Sequence, residues 1–232
     1  ITGQLADIGS VDACLLLDES PDLSKLLTAV KNGYHTFYVA PLPTNTSMIE
    51  KVYHAAEEAN VLLQFSHWPT LAPASKWMSK KVSTPSFMQI RREVSYSTHR
   101  QSDHPIDYYW IDELAFCLRW INGSVHHIDL KTIRLSGHKV YGIHMLLRFE
   151  SGATANIYIN VASDTSAHHR LASDNVFLLD CDVLEQTVRV GEEKDGGHLF
   201  FNKKSFDASK AAQLATQDFI KAVQLNRATI FN

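Results

Sequence analysis

The 232-residue chain predicts a parallel α/β lobe followed by an α+β lobe built on a large, mostly antiparallel open sheet. Two observations predict this. Short apolar runs alternate with helical patterns through the first third, and after about residue 70 consecutive strand-like runs with turn signals take over. The expected boundary divides residues 1–67 from residues 68–232.

Residues 11–17, Val-Asp-Ala-Cys-Leu-Leu-Leu, form a short apolar run suited to a parallel strand. Ser20 and Pro21 then supply an N-cap and a first helical position, with Asp22 against the helix dipole. Leu23, Leu26, Leu27 and Val30 recur at helical spacing until Asn32-Gly33 ends the helix. Residues 36–39 form the next strand and end at Ala40-Pro41. Ser47 with Glu50 makes a capping box for a helix through Val52, Tyr53 and Ala56, and residues 61–65 form a third strand. Short links between these elements predict right-handed βαβ units, with the three strands side by side in one parallel sheet.

In the second lobe, residues 87–96 and 128–135 are strand candidates separated by a helix over 108–121 that stops at Asn122-Gly123. Residues 141–149, 153–161, 176–179 and 186–190 follow as short strands, with a turn at Glu150-Ser151-Gly152. A terminal helix is expected over residues 209–225, carrying Ala212, Leu214, Phe219, Ile220 and Val223.

Composition sets the class. With 45% hydrophobic and 20% charged residues the chain is an ordinary globular protein. A net charge of -3 gives no basic surface for nucleic acid or anionic membrane. No apolar run approaches the ~20 residues a membrane helix needs. Cys14, Cys117 and Cys181 stand apart in apolar surroundings and read as buried thiols, which points to a reducing, cytoplasmic setting. The chain does not begin with methionine and reads as a fragment.

Several segments in order resemble the Gfo/Idh/MocA family of NAD(P)-dependent oxidoreductases. Gly33, His35 and Pro41 match the family strand G-K-H-V-x-V and its closing Glu-Lys-Pro. His67 and Pro73 match its G-H-x-R-R-F-x-P stretch, Arg119-Trp120 to Gly123 its R-W-L-x-G helix end, and Phe149 to Ala153 its F-x-N-G-A turn. The resemblance implies a Rossmann-type dinucleotide lobe, here only its second half, and a sheet lobe whose open face pairs copies into a homo-oligomer. It implies NAD or NADP as cofactor and a sugar or polyol as substrate. Ser20, Pro21 and Pro41 are expected on the cofactor, and His67 and Tyr109 on the substrate.

The same resemblance exposes departures. Val39 and Ala40 stand where the family has Glu and Lys, so the charged donor to the reacting hydroxyl is missing. The family's D-x-x-x-H falls on Tyr109 and Glu113, leaving Glu113 as the candidate base, with His104 as another candidate catalytic group. No G-x-G-x-x-G occurs, so the resemblance predicts a further βαβ unit of roughly 30 residues before Ile1. Two readings follow: an oxidoreductase with impaired or altered chemistry, or a binding or assembly module that keeps the fold.

Other polar groups suit neither reading well. His99, Asp103, His104 and Asp107 could ligate a metal but lack the i, i+4 histidine pair of helical sites and read as a solvated loop. His126-His127 and His168-His169 lie in strands, where neighbours point to opposite faces, and read as sheet residues. Tyr108, Tyr109 and Trp110 either line a pocket or pack the helix. No metal site is expected.

Overall fold

The computed structural model describes residues 11–102, 105–135, 137, 139–194 and 197–230. The chain forms two compact units, residues 1–71 with 209–232, and residues 72–208.

In the first unit β1 (Ala13–Leu17), β2 (His35–Val39) and β3 (Leu63–Phe65) form one parallel sheet in the order β1-β2-β3, as the alternation predicts. One face packs Leu16, Tyr38, Leu63 and Phe65 against Leu26 and Val30 of α1 (Leu23–Lys31) and Val52 and Ala56 of α2 (Thr46–Glu58). Both helices are capped differently from the sequence expectation. Asp22, not Ser20, takes the N–H groups of Ser24 and Lys25, and Asn45, not Ser47, takes that of Met48. Asx side chains compete well for these positions, so each helix starts where the first such residue can reach back. Gly33 ends the α1 segment at φ +81°, a conformation that costs a side-chain-bearing residue about 1–2 kcal/mol.

The other face of this sheet presents Phe37, which packs with Leu71 of α3 (Trp68–Leu71) and with Ala215 and Phe219 of α7 (Ala211–Gln224). The Phe37 and Phe219 rings lie 5.6 Å apart. The terminal helix therefore belongs to the first unit, although the sequence places residues 209–232 in the second lobe. A parallel sheet must bury both faces, and α1 and α2 cover only one. The helix over 211–224 supplies the other cover.

The second unit holds an eight-stranded sheet in the order β11-β10-β9-β8-β4-β7-β6-β5. Its strands are β4 (Phe87–Ser95), β5 (Val125–Arg134), β6 (Val140–Phe149), β7 (Thr154–Ser163), β8 (Ala167–Ser173), β9 (Phe177–Asp182), β10 (Thr187–Lys194) and β11 (His198–Ser205). Neighbours pair antiparallel except β4 and β7. Inward residues such as Ile90, Leu147, Ile157 and Val188 form one core with Met78 of α4 (Pro73–Lys81) and Phe116 and Trp120 of α6 (Asp107–Trp120). Trp120 Nε1 donates to the Val82 carbonyl at 2.7 Å, which satisfies the indole as it is buried. The sequence shows no clear period for α4, for α5 (Tyr96–Ser102), or for β8 and β11.

Candidate functional site

Open parallel sheets bind ligands beyond the carboxyl ends of their strands. In the first unit four expected site residues follow those ends: Ser20 and Pro21 after β1, Pro41 after β2, and His67 after β3. Ser20 and Pro21 are exposed. They do not open the helix, because Asp22 caps it. The Asp22 carboxylate accepts from the Ser24 and Lys25 N–H groups at 3.1 and 3.3 Å, the donors that an anion would need. The diphosphate of a dinucleotide does not fit this helix start, since a carboxylate already holds it.

Neighbouring groups tie this end of the sheet together. Asp18 accepts from Lys25 Nζ at 3.0 Å, and the buried Tyr38 hydroxyl accepts from the Asp22 N–H at 2.6 Å. Burial, with Asp18 close by, pushes the Tyr38 phenol well up. Ser66 Oγ clasps the Ala40 backbone, accepting from its N–H and donating to its carbonyl, both at 3.1 Å. His67 is buried, with Nδ1 2.7 Å from Thr70 Oγ1, and its carbonyl accepts from Thr70 and Leu71. His67, expected on the substrate, holds the turn into α3 through these bonds.

The second unit contains a buried charged cluster. Helical spacing places Tyr109, Glu113, Phe116 and Trp120 on the sheet-facing side of α6. Strand alternation turns His168 and Arg170 of β8 toward the same space, and β4 sets Arg92 opposite His168 in register. Arg170 clamps the Glu113 carboxylate with Nε to Oε2 and Nη2 to Oε1, both 3.0 Å. His168 Nε2 lies 3.0 Å from Oε1, and Arg92 Nη1 lies 3.4 Å from it. Arg170 Nη1 also donates to Ser75 Oγ at 2.9 Å, and its guanidinium stacks on Phe116 at 4.2 Å.

This geometry corrects the expectation for Glu113. Its side chain is 0% exposed. Burial alone would raise its pKa, but Arg170, with His168, outweighs it and holds the carboxyl well below the ordinary range. A carboxylate so stabilised, with both oxygens bound, is a poor proton acceptor and has no open path to a substrate. Burial lowers the His168 pKa, so that ring is neutral at pH 7 beside the ionised Glu113–Arg170 pair. Glu113 anchors the helix to the sheet.

Tyr109, the other expected residue on this helix, lies inside the same cluster. Arg92 sits 4.9 Å over its ring, the buried His99 meets it edge-on at 5.9 Å, and its hydroxyl lies 3.2 Å from Ser102 Oγ. Tyr108 and Trp110 pack beside the core, and Trp110 Nε1 donates to Asp107 at 2.8 Å. His104 and Asp103 lie outside the described residues. His168 is buried and His169 exposed, as strand alternation requires. Among the described residues no three His, Cys, Asp or Glu side chains are grouped to hold a metal.

Three participants escaped the sequence reading. Arg92 follows Met88 and Ile90 on the inward positions of β4, and Arg170 holds an inward position of β8. On β4, whose strand the sequence predicts, a charged residue at an inward position calls for a buried counter-ion, whereas on β8 no period marks Arg170 as inward. Asp112, one residue before Glu113, is the third. Its side chain is 18% exposed and lies 3.9 Å from Arg92 Nη1. Burial raises its pKa to about 6 against the pull of Arg92.

No family model and no curated protein matches the sequence. Solved structures do match the fold. UDP-N-acetylglucosamine 3-dehydrogenase GnnA from Acidithiobacillus ferrooxidans is similar over 96% of this chain and 73% of its own, with TM-score 0.84 and 15% identity. Levoglucosan dehydrogenase, solved with NADH and L-sorbose, is similar over 96% and 73%, with TM-score 0.78 and 9% identity. The dehydrogenase MviM from Clostridium difficile is similar over 94% and 72%, with TM-score 0.77 and 15% identity. The chain thus shares the fold of these structures, the one its strand and helix alternation predicts: a Rossmann-type parallel sheet and a large open-sheet lobe.

Proposed function

We propose that the chain is a homologue of the Gfo/Idh/MocA NAD(P)-dependent oxidoreductases, directed at a sugar or polyol hydroxyl, with chemistry altered from the family pattern. Its fold likeness to sugar dehydrogenases supports the class. The observation that carries the altered chemistry is the Glu113 carboxylate, sealed by Arg170 where the family has its histidine. Ala40 removes the second charged group, and loss of one such donor costs ~10²–10³ in rate. In this reading Asp112 is the proton acceptor, since its carboxyl is partly exposed and titrates at about 6. Tyr109 positions Arg92 beside it. NAD or NADP as cofactor, and pairing of copies through the open sheet face, come from the resemblance. The three free cysteines accord with a cytoplasmic protein.

The test is an assay of the intact protein with NAD and NADP against sugars and inositols, following reduced nicotinamide absorbance. Turnover should fall well below the ordinary ~1–10³ s⁻¹, rise with pH through about 6, and drop further in Asp112→Asn. Ordinary turnover that Asp112→Asn leaves unchanged overturns the reading. A non-catalytic binding module is the second reading, favoured by the same sealed Glu113. Its signature is calorimetric binding of sugar or nucleotide with no turnover at any pH.

A further inference from the structure

The helix α5 touches the Asp112 cluster with one side only. His99 is buried against the Tyr109 ring, over which Arg92 sits, and Arg92 lies 3.9 Å from Asp112. Tyr96 and Arg100 of the same helix stay exposed. β4 runs parallel to β7 and β6 antiparallel to it, so the end of β4 and the start of β6 meet at one end of the sheet, on either side of β7. Tyr96 directly follows β4, and Tyr141 is the second residue of β6. Their rings lie 6.3 Å apart, tilted by 50°.

Each ring has a cation beside it. Arg100, four residues after Tyr96 and therefore on the same side of α5, sets its guanidinium 6.0 Å from the Tyr96 ring. Lys139, just before β6, sets its ammonium 5.4 Å from the Tyr141 ring. These are the outer reach of a cation–π contact, which leaves the N–H donors of both cations unspent. Among the described residues neither cation has a carboxylate partner, and neither tyrosine hydroxyl makes a hydrogen bond. Arg100 and Lys139 are exposed, and Tyr96 is 42% exposed, so all are open to a ligand. Two tilted ring faces with cations at their margins fit a molecule that has an apolar ring face and an anionic end.

We propose that Tyr96, Arg100, Lys139 and Tyr141 form a subsite for the anionic end of the substrate, an inference that rests on the oxidoreductase reading above. The sugar or polyol then carries a carboxylate or a phosphate. The guanidinium fork of Arg100 matches the paired oxygens of either group, and Lys139 adds a point charge. The tyrosine rings take the C–H face of the sugar, and their hydroxyls are free to donate to it. α5 alone, about 10 Å across, separates this subsite from the Tyr109 ring and the Asp112 cluster behind it. A neutral sugar leaves both cations without a partner and is discriminated against for that reason.

The test is calorimetric titration of the intact chain, without nicotinamide, with glucuronate, glucose 6-phosphate, glucose and inorganic phosphate. The wild type is compared with Arg100→Gln and Lys139→Gln. Both positions are exposed, so folding should survive, and native circular dichroism checks it. An anionic sugar should bind at least about tenfold more tightly than glucose, the factor that one hydrogen bond to a charged group supplies. It should also bind more tightly than inorganic phosphate, and each variant should remove most of the preference over glucose. Preference for glucuronate alone assigns the subsite to a carboxylate, and preference for glucose 6-phosphate alone assigns it to a phosphate. Glucose binding as tightly as both, or neither anionic sugar binding, overturns the proposal. So does inorganic phosphate that matches the anionic sugars, which would leave only an unspecific anion site. A preference that either variant leaves unchanged overturns it as well, by placing the anion elsewhere. Turnover is read separately. Anionic preference in binding without nicotinamide reduction overturns the oxidoreductase reading and keeps the subsite, whereas turnover of neutral sugars without the preference does the reverse.

Discussion

Replacing Arg170 by methionine tests whether Glu113 is an anchor or a working acid-base group. The substitution keeps an unbranched apolar stem but removes the guanidinium, which donates to both Glu113 oxygens at 3.0 Å and to Ser75 at 2.9 Å. Glu113 is left with His168 at 3.0 Å and Arg92 at 3.4 Å. Neither replaces a bidentate clamp, because His168 is neutral at pH 7 and Arg92 is shared with Asp112 at 3.9 Å. Stripping one partner from a buried pair costs about 3–5 kcal/mol, as the remaining charge stays desolvated. The lost stacking on Phe116 adds to this, while the remaining Arg92 contact subtracts.

A loss of about 3–5 kcal/mol is a large share of the ~5–15 kcal/mol that folds a domain. The Glu113→Leu, Arg170→Met double variant removes both charges at once. It should recover most of the loss, with a coupling of at least about 2 kcal/mol. Urea unfolding of the wild type, both single variants and the double variant measures this cycle by linear extrapolation. An Arg170→Met cost below about 1 kcal/mol would refute the buried-anchor reasoning. A double variant that loses the full sum of the two single costs would refute it equally.

Acid should weaken the same anchor. The folded Glu113 pKa lies below its unfolded value, so the unfolded chain takes up the proton first. Its stabilisation is whole above about pH 4.3 and is lost as pH falls below that value. His168, lowered by burial, adds to the loss below about pH 6.5, whereas Asp112, raised to about 6, opposes it between about pH 4 and 6. Urea midpoints from pH 5 to pH 3 should fall more steeply in the wild type than in the Glu113→Leu, Arg170→Met variant, and equal slopes would contradict this. Gln64 is fully buried on β3, and neither its amide nitrogen nor its oxygen has a hydrogen-bond partner among the described residues. Gln64→Met keeps the shape and removes the unsatisfied polar group. It should raise stability by about 1–3 kcal/mol, with a destabilised variant counting against it.

The first unit's strands were legible because each is a short apolar run between strong stop signals. The Gly33 and Pro41 punctuation bounds β2 closely. Caps were less legible. Asp22 and Asn45 compete with nearby serines for the same donors, and the choice depends on local backbone angles rather than on residue type. In the second unit β8 was missed because its polar run, His168 to Arg170, hides a period of two that only a buried counter-ion makes tolerable. β11 escaped as well, since no burial pattern distinguishes a strand exposed on both faces.

By itself the sequence determined the fold class, the parallel order of the first three strands and the alternation of the sheet lobe. These are local properties, set by periodicity and residue type over a few neighbours. Only the tertiary structure decided what Glu113 does. A glutamate on a helix looks the same whether it faces solvent, a substrate or an arginine 57 residues away on a strand. Likewise only packing could return α7 to the first sheet, because its apolar stripe fits any uncovered face and the chain had to bring it back to Phe37. Protonation followed in turn, because the pKa of a buried carboxyl is set by the charges that folding places around it.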